Sequence, residues 1–165
     1  MGYLKYLDKE FFEFEKIIRR KPKELEKKSK FDLFSREERE LINSQIFGSI
    51  HTIEDDTKIP NFKEVDDYFR IKARPGVVLT PPTEETNFET QWAPMSSKVF
   101  GRNPYDTIIL FPELEDVRYT SVILLFYRCW FKFKTLSRRK GKLSEKKKDE
   151  LRRKLEKLEM SLSDE

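Results

Sequence analysis

Three groups of residues in this sequence have the types and spacings that chemistry requires. "HTIEDDTK", residues 51–58, gathers His51, Glu54, Asp55, Asp56 and Lys58 at the end of an expected strand. Asp-x-Lys in that setting suits a metal-dependent nuclease, the carboxylate holding Mg²⁺ and the lysine positioning or activating water. A turn whose Asp side chains bond their own backbone accounts for the same residues. "PPTEETNFET", residues 81–90, carries Glu84, Glu85 and Glu89. Glu85 and Glu89, four apart, would share one face of a helical turn, which suits joint coordination of one Mg²⁺ or activation of water by one carboxylate. A solvated loop accounts for them equally well.

The third group is basic and aromatic. "CWFKFKTLSRRKGK", residues 129–142, contains no acid and follows directly on Arg128. On a helix, Arg128, Lys132 and Arg139 fall on one face at steps of four and seven, with Lys142 beyond its end and Lys134, Arg138 and Lys140 close by. Such a stripe neutralises phosphates and releases their counterions, giving affinity that ignores sequence and falls with salt. Trp130 or Phe133, if exposed, could stack on unpaired bases. The competing reading makes the aromatics core and the cations a solvated face. "VFGRNP", residues 99–104, adds Gly101, Arg102 and Asn103, which could touch a phosphate through guanidinium and backbone amides.

Two further signals carry nothing. "FGS" at 47–49 lacks the strand-borne acid pair, about ten residues on, that a nucleotidyltransferase site expects; "EDD" at 54–56 comes too early. Cys129 has no second histidine or carboxylate placed to activate it, and reads as a small buried residue.

The elements that must position these groups follow from hydrophobic periodicity. Leu4, Leu7, Phe11, Phe14 and Ile18 form one face of an amphipathic helix over residues 1–20. Ser35, three residues before Glu38, is a capping box opening a second helix that Gly48 ends. "GSIHTI" reads as a strand, "NFKEVDDYF" as a short helix from Asn61, and "RIKARPGVVLT" as two strands or one broken at Pro75 and Gly76. Residues 81–104 read as a long irregular segment, and "YDTIILFP", 105–112, as a central strand. Acids at its start and cations at its end predict a helix from Glu113 to Arg139; for 129–135 the alternation of Cys129, Phe131 and Phe133 with Trp130, Lys132 and Lys134 also allows a strand. Ser144 caps a last helix whose narrow stripe, Leu151, Leu155 and Leu158, is marginal alone.

Composition bounds the rest. The chain has 165 residues, enough for one compact core, and is 39% charged yet holds 14 Phe, 6 Tyr and 2 Trp. One Cys and one His exclude an internal disulfide and nearly exhaust zinc ligand sets. The longest uncharged apolar run, "YTSVILLFY", is about half a bilayer span, and the N-terminus lacks a leader pattern, so no membrane is expected and a cytoplasmic location is. Net charge is +2 over residues 1–50, −6 over 51–117 and +8 over 118–165: an acidic middle and a basic end. Heavy use of Lys and Glu leans toward a hot habitat.

This mix of Lys/Glu-rich helices, one Cys, an acidic middle and a basic tail resembles small proteins of filamentous viruses of hot-acid archaea. The resemblance implies an α+β fold and, for some members, nuclease activity in the host cytoplasm; it assigns no residue. The expectation is therefore an α+β domain over 1–140, a small mostly antiparallel sheet with amphipathic helices at both ends of the chain, then a basic helix or arm over 141–165. Its function is expected to be nucleic-acid binding, with DNA as partner, through Arg102, Arg128, Lys132, Lys134, Arg138, Arg139, Lys140 and Lys142. The enzymatic version is Mg²⁺-assisted phosphodiester hydrolysis with Glu85, Glu89 and Asp56 as catalytic residues, Glu85 and Glu89 holding the metal. The alternative is a non-enzymatic structural or interaction protein that uses the aromatic helix 113–139, with the last helix pairing copies of the chain.

Overall fold

The computed structural model describes residues 29–54, 57, 59–62 and 73–163, the side chains of 161–163 excepted. The expected helix over 1–20, the short helix after Asn61 and Asp56 lie outside the described residues. The chain divides into two units, residues 1–39 and 40–165. In the first, a 3-10 turn at Lys30–Leu33 leads to helix α1, Arg36–Ser44, which continues into the second. The capping box forms as expected: the Ser35 N–H donates to Glu38 Oε1 at 2.9 Å, and the Glu38 N–H donates to Ser35 Oγ at 3.1 Å.

The second unit is α+β. Its strands are β1 (Ser49–Glu54), β2 (Ala73–Thr80), β3 (Glu89–Ser96), β4 (Thr107–Leu110), β5 (Ser121–Leu124), β6 (Cys129–Lys132) and β7 (Gly141–Lys142), followed by helix α2 (Glu145–Ser163). They form one antiparallel sheet in the order β4-β5-β3-β2-β1-β7, with β6 also paired to β3. Strand β3 is the hub. Its first half, residues 89–92, pairs with β6, its middle, residues 91–94, with β2, and its end, residues 95 and 96, with β5.

Four sequence expectations need correction. The irregular segment 81–104 contains β3, hidden because both faces are buried and Pro94 interrupts its pattern. Strand β2 runs unbroken through Pro75 and Gly76. Gly76 is required there: a Cβ would stand 2.2 Å from the Trp92 indole and 2.4 Å from the Ala93 carbonyl oxygen. Strand β4 lies at the sheet edge, not its centre. The helix 113–139 does not form; turns, β5, a 3-10 turn at Leu125–Tyr127, β6 and a second 3-10 turn at Phe133–Thr135 take its place. "SVILL" is a short apolar run that suits a buried strand as well as a helix, and pairing with β3 and β4 decides it. The aromatic helix of the interaction reading is thereby removed.

Each face of the sheet buries its own cluster. One gathers Ile50, Val77, Leu79, Ala93, Met95, Ile108, Leu110, Ile123, Leu125, Leu143 and Leu151, with Leu155 and Leu158 of α2 packed against it. The narrow leucine stripe of α2 thus finds the apolar partner it lacks alone. Its first turn is held by Glu115, whose carboxylate accepts from the Ser144 N–H at 2.8 Å and the Ser144 hydroxyl at 2.7 Å. The other face buries Ile53, Ile59, Val78, Trp92 and Leu136. Among the described residues no helix is long and apolar enough to cross a membrane.

Candidate nucleic-acid interface

Pairing of β6 with β3 fixes which way the aromatic and basic side chains point. Gln91 stands opposite Trp130 and Glu89 opposite Lys132. Alternation turns Cys129 and Phe131 inward and leaves Trp130 and Lys132 exposed. Trp130 is 47% exposed, while the chain's other tryptophan, Trp92, is fully buried, with its indole N–H donated to His51 O at 3.2 Å. The strand therefore does what a helix would not: it sets an exposed indole beside a lysine on one face.

Beyond Lys132 the chain turns through Phe133–Thr135 and runs along β1. The Ser137 N–H donates to Thr52 O at 2.9 Å, the Lys140 N–H to Ile50 O at 2.7 Å and the Leu143 N–H to Gly48 O at 2.9 Å. Side chains reinforce this zip. The Thr52 N–H and hydroxyl both donate to Ser137 Oγ, at 2.9 and 2.7 Å. His51 Nδ1 lies 2.8 Å from Ser137 O and its Nε2 lies 2.8 Å from Ser49 Oγ. A carbonyl only accepts, so Nδ1 carries the proton, while the Ser49 hydroxyl also donates to Ile46 O at 2.7 Å. Burial, with Arg139 nearby, holds the His51 pKa below its ordinary value, against the opposing effect of the Ser137 hydrogen bond.

With the backbone so fixed, Arg138, Arg139, Lys140 and Lys142 are exposed, and no described residue forms an ion pair with them. Lys132 and Lys134 are exposed as well, Lys134 with its ammonium 6.0 Å from the Phe133 ring centre. Arg128 is different: half-buried, it donates through Nη1 to Leu125 O at 2.8 Å. Of the expected cations, the run 132–142 forms an open basic surface and Arg128 braces its approach.

Arg102 stands in another place. Its Nε donates to Lys98 O at 2.8 Å and its Nη2 to Ser96 Oγ at 3.2 Å, which folds the β3–β4 loop around it. It lines a cavity of about 180 Å³ together with Gly101, Asn103, Asp106, Thr107, Leu124, Phe126 and Tyr127. Sequence reasoning finds Arg102 and Asn103 but misses Asp106, Phe126 and Tyr127, because the walls come from two loops separated by β4 and β5. Arg74, not singled out by sequence either, is buried with its guanidinium 4.6 Å from the Phe62 ring centre and Nη1 donated to Met95 O at 2.8 Å.

The acids expected to do chemistry lie apart from this surface in kind. Glu85 is exposed on a turn spanning Glu84–Phe88, and Glu89 begins β3, so the two do not share a helix face. Glu89 is instead the cross-strand neighbour of Lys132. Among the described residues no group of three or more His, Cys, Asp or Glu could hold a metal ion. Burial pushes the Cys129 thiol up to about 11, so it stays protonated at neutral pH.

No protein-family model matches the sequence, and no curated protein matches it. A solved structure, that of Mycobacterium tuberculosis toxin MazF-mt6, aligns at 18% identity with a TM-score of 0.46, over 64% of this chain and 90% of that one. A likeness at that level says nothing of this chain's activity or partners.

Proposed function

We propose that this chain binds nucleic acid, holding a single strand across the basic surface 132–142. One observation carries the reading: Arg138, Arg139 and Lys140 project from a backbone hydrogen-bonded to β1 and have no acidic partner among the described residues, whereas Lys142 lies near Glu145 and its N–H donates to Asp116. Uncompensated cations on an ordered ribbon attract a polyanion and neutralise its phosphates one by one. Trp130, exposed beside Lys132, adds a stacking platform that a paired duplex would not use. A single strand with accessible bases therefore fits this surface better than duplex DNA. Cleavage is left aside, since Glu85 and Glu89 sit on separate elements.

The test is binding of fluorescent single-stranded DNA and RNA, and of duplex DNA, between low and physiological salt. Affinity is expected to fall with a log–log slope of about −0.7 per phosphate neutralised on a single strand. Replacing Arg138, Arg139 and Lys140 together by Ala should make that slope shallower by about 2. Trp130→Ala should weaken single-strand binding by about 1–3 kcal/mol and leave duplex binding unchanged. Affinity that ignores salt, or survives the triple substitution, would overturn the reading.

A further inference from the structure

A basic ribbon holds phosphates whatever bases they carry, but the cavity at the β3–β4 loop is built of other groups. Asp106 lines it, half-buried, and no described residue bonds to its carboxylate. An ionised carboxylate only accepts hydrogen bonds, so this is a place where a ligand's N–H groups can bond. Asn103 supplies the complement. Its Oδ1 accepts from the Tyr105 N–H at 3.0 Å, which orients the side chain and leaves its Nδ2 donors with no described partner. The Thr107 hydroxyl donates to Asn103 O at 2.7 Å and fixes the turn that presents both groups.

The remaining walls are aromatic. Phe126 and Tyr127 meet edge to face at 5.2 Å and 85°, and Tyr127 is braced from behind by the edge of Phe62 at 5.1 Å. Phe126 is 69% exposed, so its ring is open to a stacking partner. A cavity of about 180 Å³ is below the roughly 300–1,000 Å³ of pockets for drug-sized ligands, and suits a single ring system.

We propose that this cavity is a subsite for a guanine base of the bound strand. The proposal rests on the nucleic-acid reading above. Guanine presents N1–H and its 2-amino group side by side, the paired donors one carboxylate accepts, and its O6 accepts from an amide donor such as Asn103 Nδ2. Adenine turns an unprotonated ring nitrogen toward the carboxylate, and uracil flanks its single N–H with two carbonyl oxygens; both meet like against like. The site is also within reach of the basic surface. Six residues at about 3.3 Å each keep Lys132 within about 20 Å of Phe126, a span that a few nucleotides cover.

Titration of the full chain with guanosine, inosine and adenosine 5′-monophosphates, followed by calorimetry, tests this directly. Guanosine monophosphate should bind, inosine monophosphate, which lacks the 2-amino group, about tenfold or more weakly, and adenosine monophosphate not detectably. Asp106→Asn should abolish the guanine preference, Phe126→Ala should weaken binding of both guanosine and inosine monophosphates, and the triple Ala variant at 138–140 should keep the preference. The same order is expected for oligonucleotides that differ in one guanine, inosine or adenine. Equal binding of the three nucleotides, or binding of none, overturns the base subsite. Oligonucleotides held in a salt-dependent way without guanine preference sink it too while leaving the phosphate surface standing. Selective guanosine monophosphate binding with no oligonucleotide retention supports the subsite and sinks the phosphate surface.

Discussion

The two faces of the sheet are held by different means. Under α2 eleven buried residues, nearly all aliphatic, form one continuous cluster. The opposite face buries five apolar residues, Trp92 among them, and adds the polar side chains of His51, Arg74 and Thr90. Gln45 spans that side, accepting from the Thr90 hydroxyl and donating to Phe133 O at 2.8 Å. Area removed from water stabilises the first face without regard to direction. Directed bonds stabilise the second, and these fix where the 3-10 turn at Phe133 and the cationic ribbon lie. The lesson is that the aliphatic face makes the fold, whereas the polar face sets the basic surface in register.

Three measurements test that contrast. Leu151→Ala, emptying a fully buried position where α2 meets the sheet, should cost about 2–5 kcal/mol in chemical denaturation and leave the salt slope of nucleic-acid binding unchanged. A variant that lost binding while still folded would show that the faces are coupled. Gln45→Leu strands the Thr90 hydroxyl in a dry site, leaves the Phe133 carbonyl only the Leu136 N–H, and should cost about 1–3 kcal/mol. Adding Thr90→Val should recover part of that loss, since one orphan group is then removed; no recovery would mean Gln45 acts by shape.

The smallest effect concerns pH. His51 has a folded pKa below its unfolded value of about 6.5, so the unfolded chain binds the proton first as pH falls. Its contribution to stability is complete above about pH 6.5 and is lost as pH falls from there through the folded pKa. Denaturation at stepped pH should show this decline in the native chain, and a shallower one in His51→Asn. An unchanged slope in the variant would place the acid sensitivity elsewhere.

Local signals were legible in the sequence where one element decides them. The Ser35–Glu38 capping box, the β1 segment and the Ser144-capped final helix need no knowledge of neighbours. Strand β3 was not legible, because a strand buried on both faces loses its alternation and Pro94 reads as a break. The basic segment 129–142 was legible as a charged surface, and its strand only as the second of two readings for 129–135: the alternation competed with a helical reading that the chain's charge gradient favoured. Register alone reveals that Glu89 faces Lys132, and only the meeting of two loops puts Asp106 beside Phe126. Glu85 shows the opposite failure. Its spacing from Glu89 suggested a shared face, and Asn87 and Phe88, both with positive φ, turn the chain before a helix can propagate.

The zip between residues 137–143 and β1 has one more effect. Ordering a flexible segment costs about 1–2 kcal/mol of backbone conformational entropy per residue, and here that loss belongs to folding instead of association. A partner meeting Arg138, Arg139 and Lys140 thus meets charges already at set intervals, and recognition requires no disorder-to-order step. The amides of Ser137, Lys140 and Leu143, donated into β1, should exchange with solvent as slowly in the free protein as in the complex.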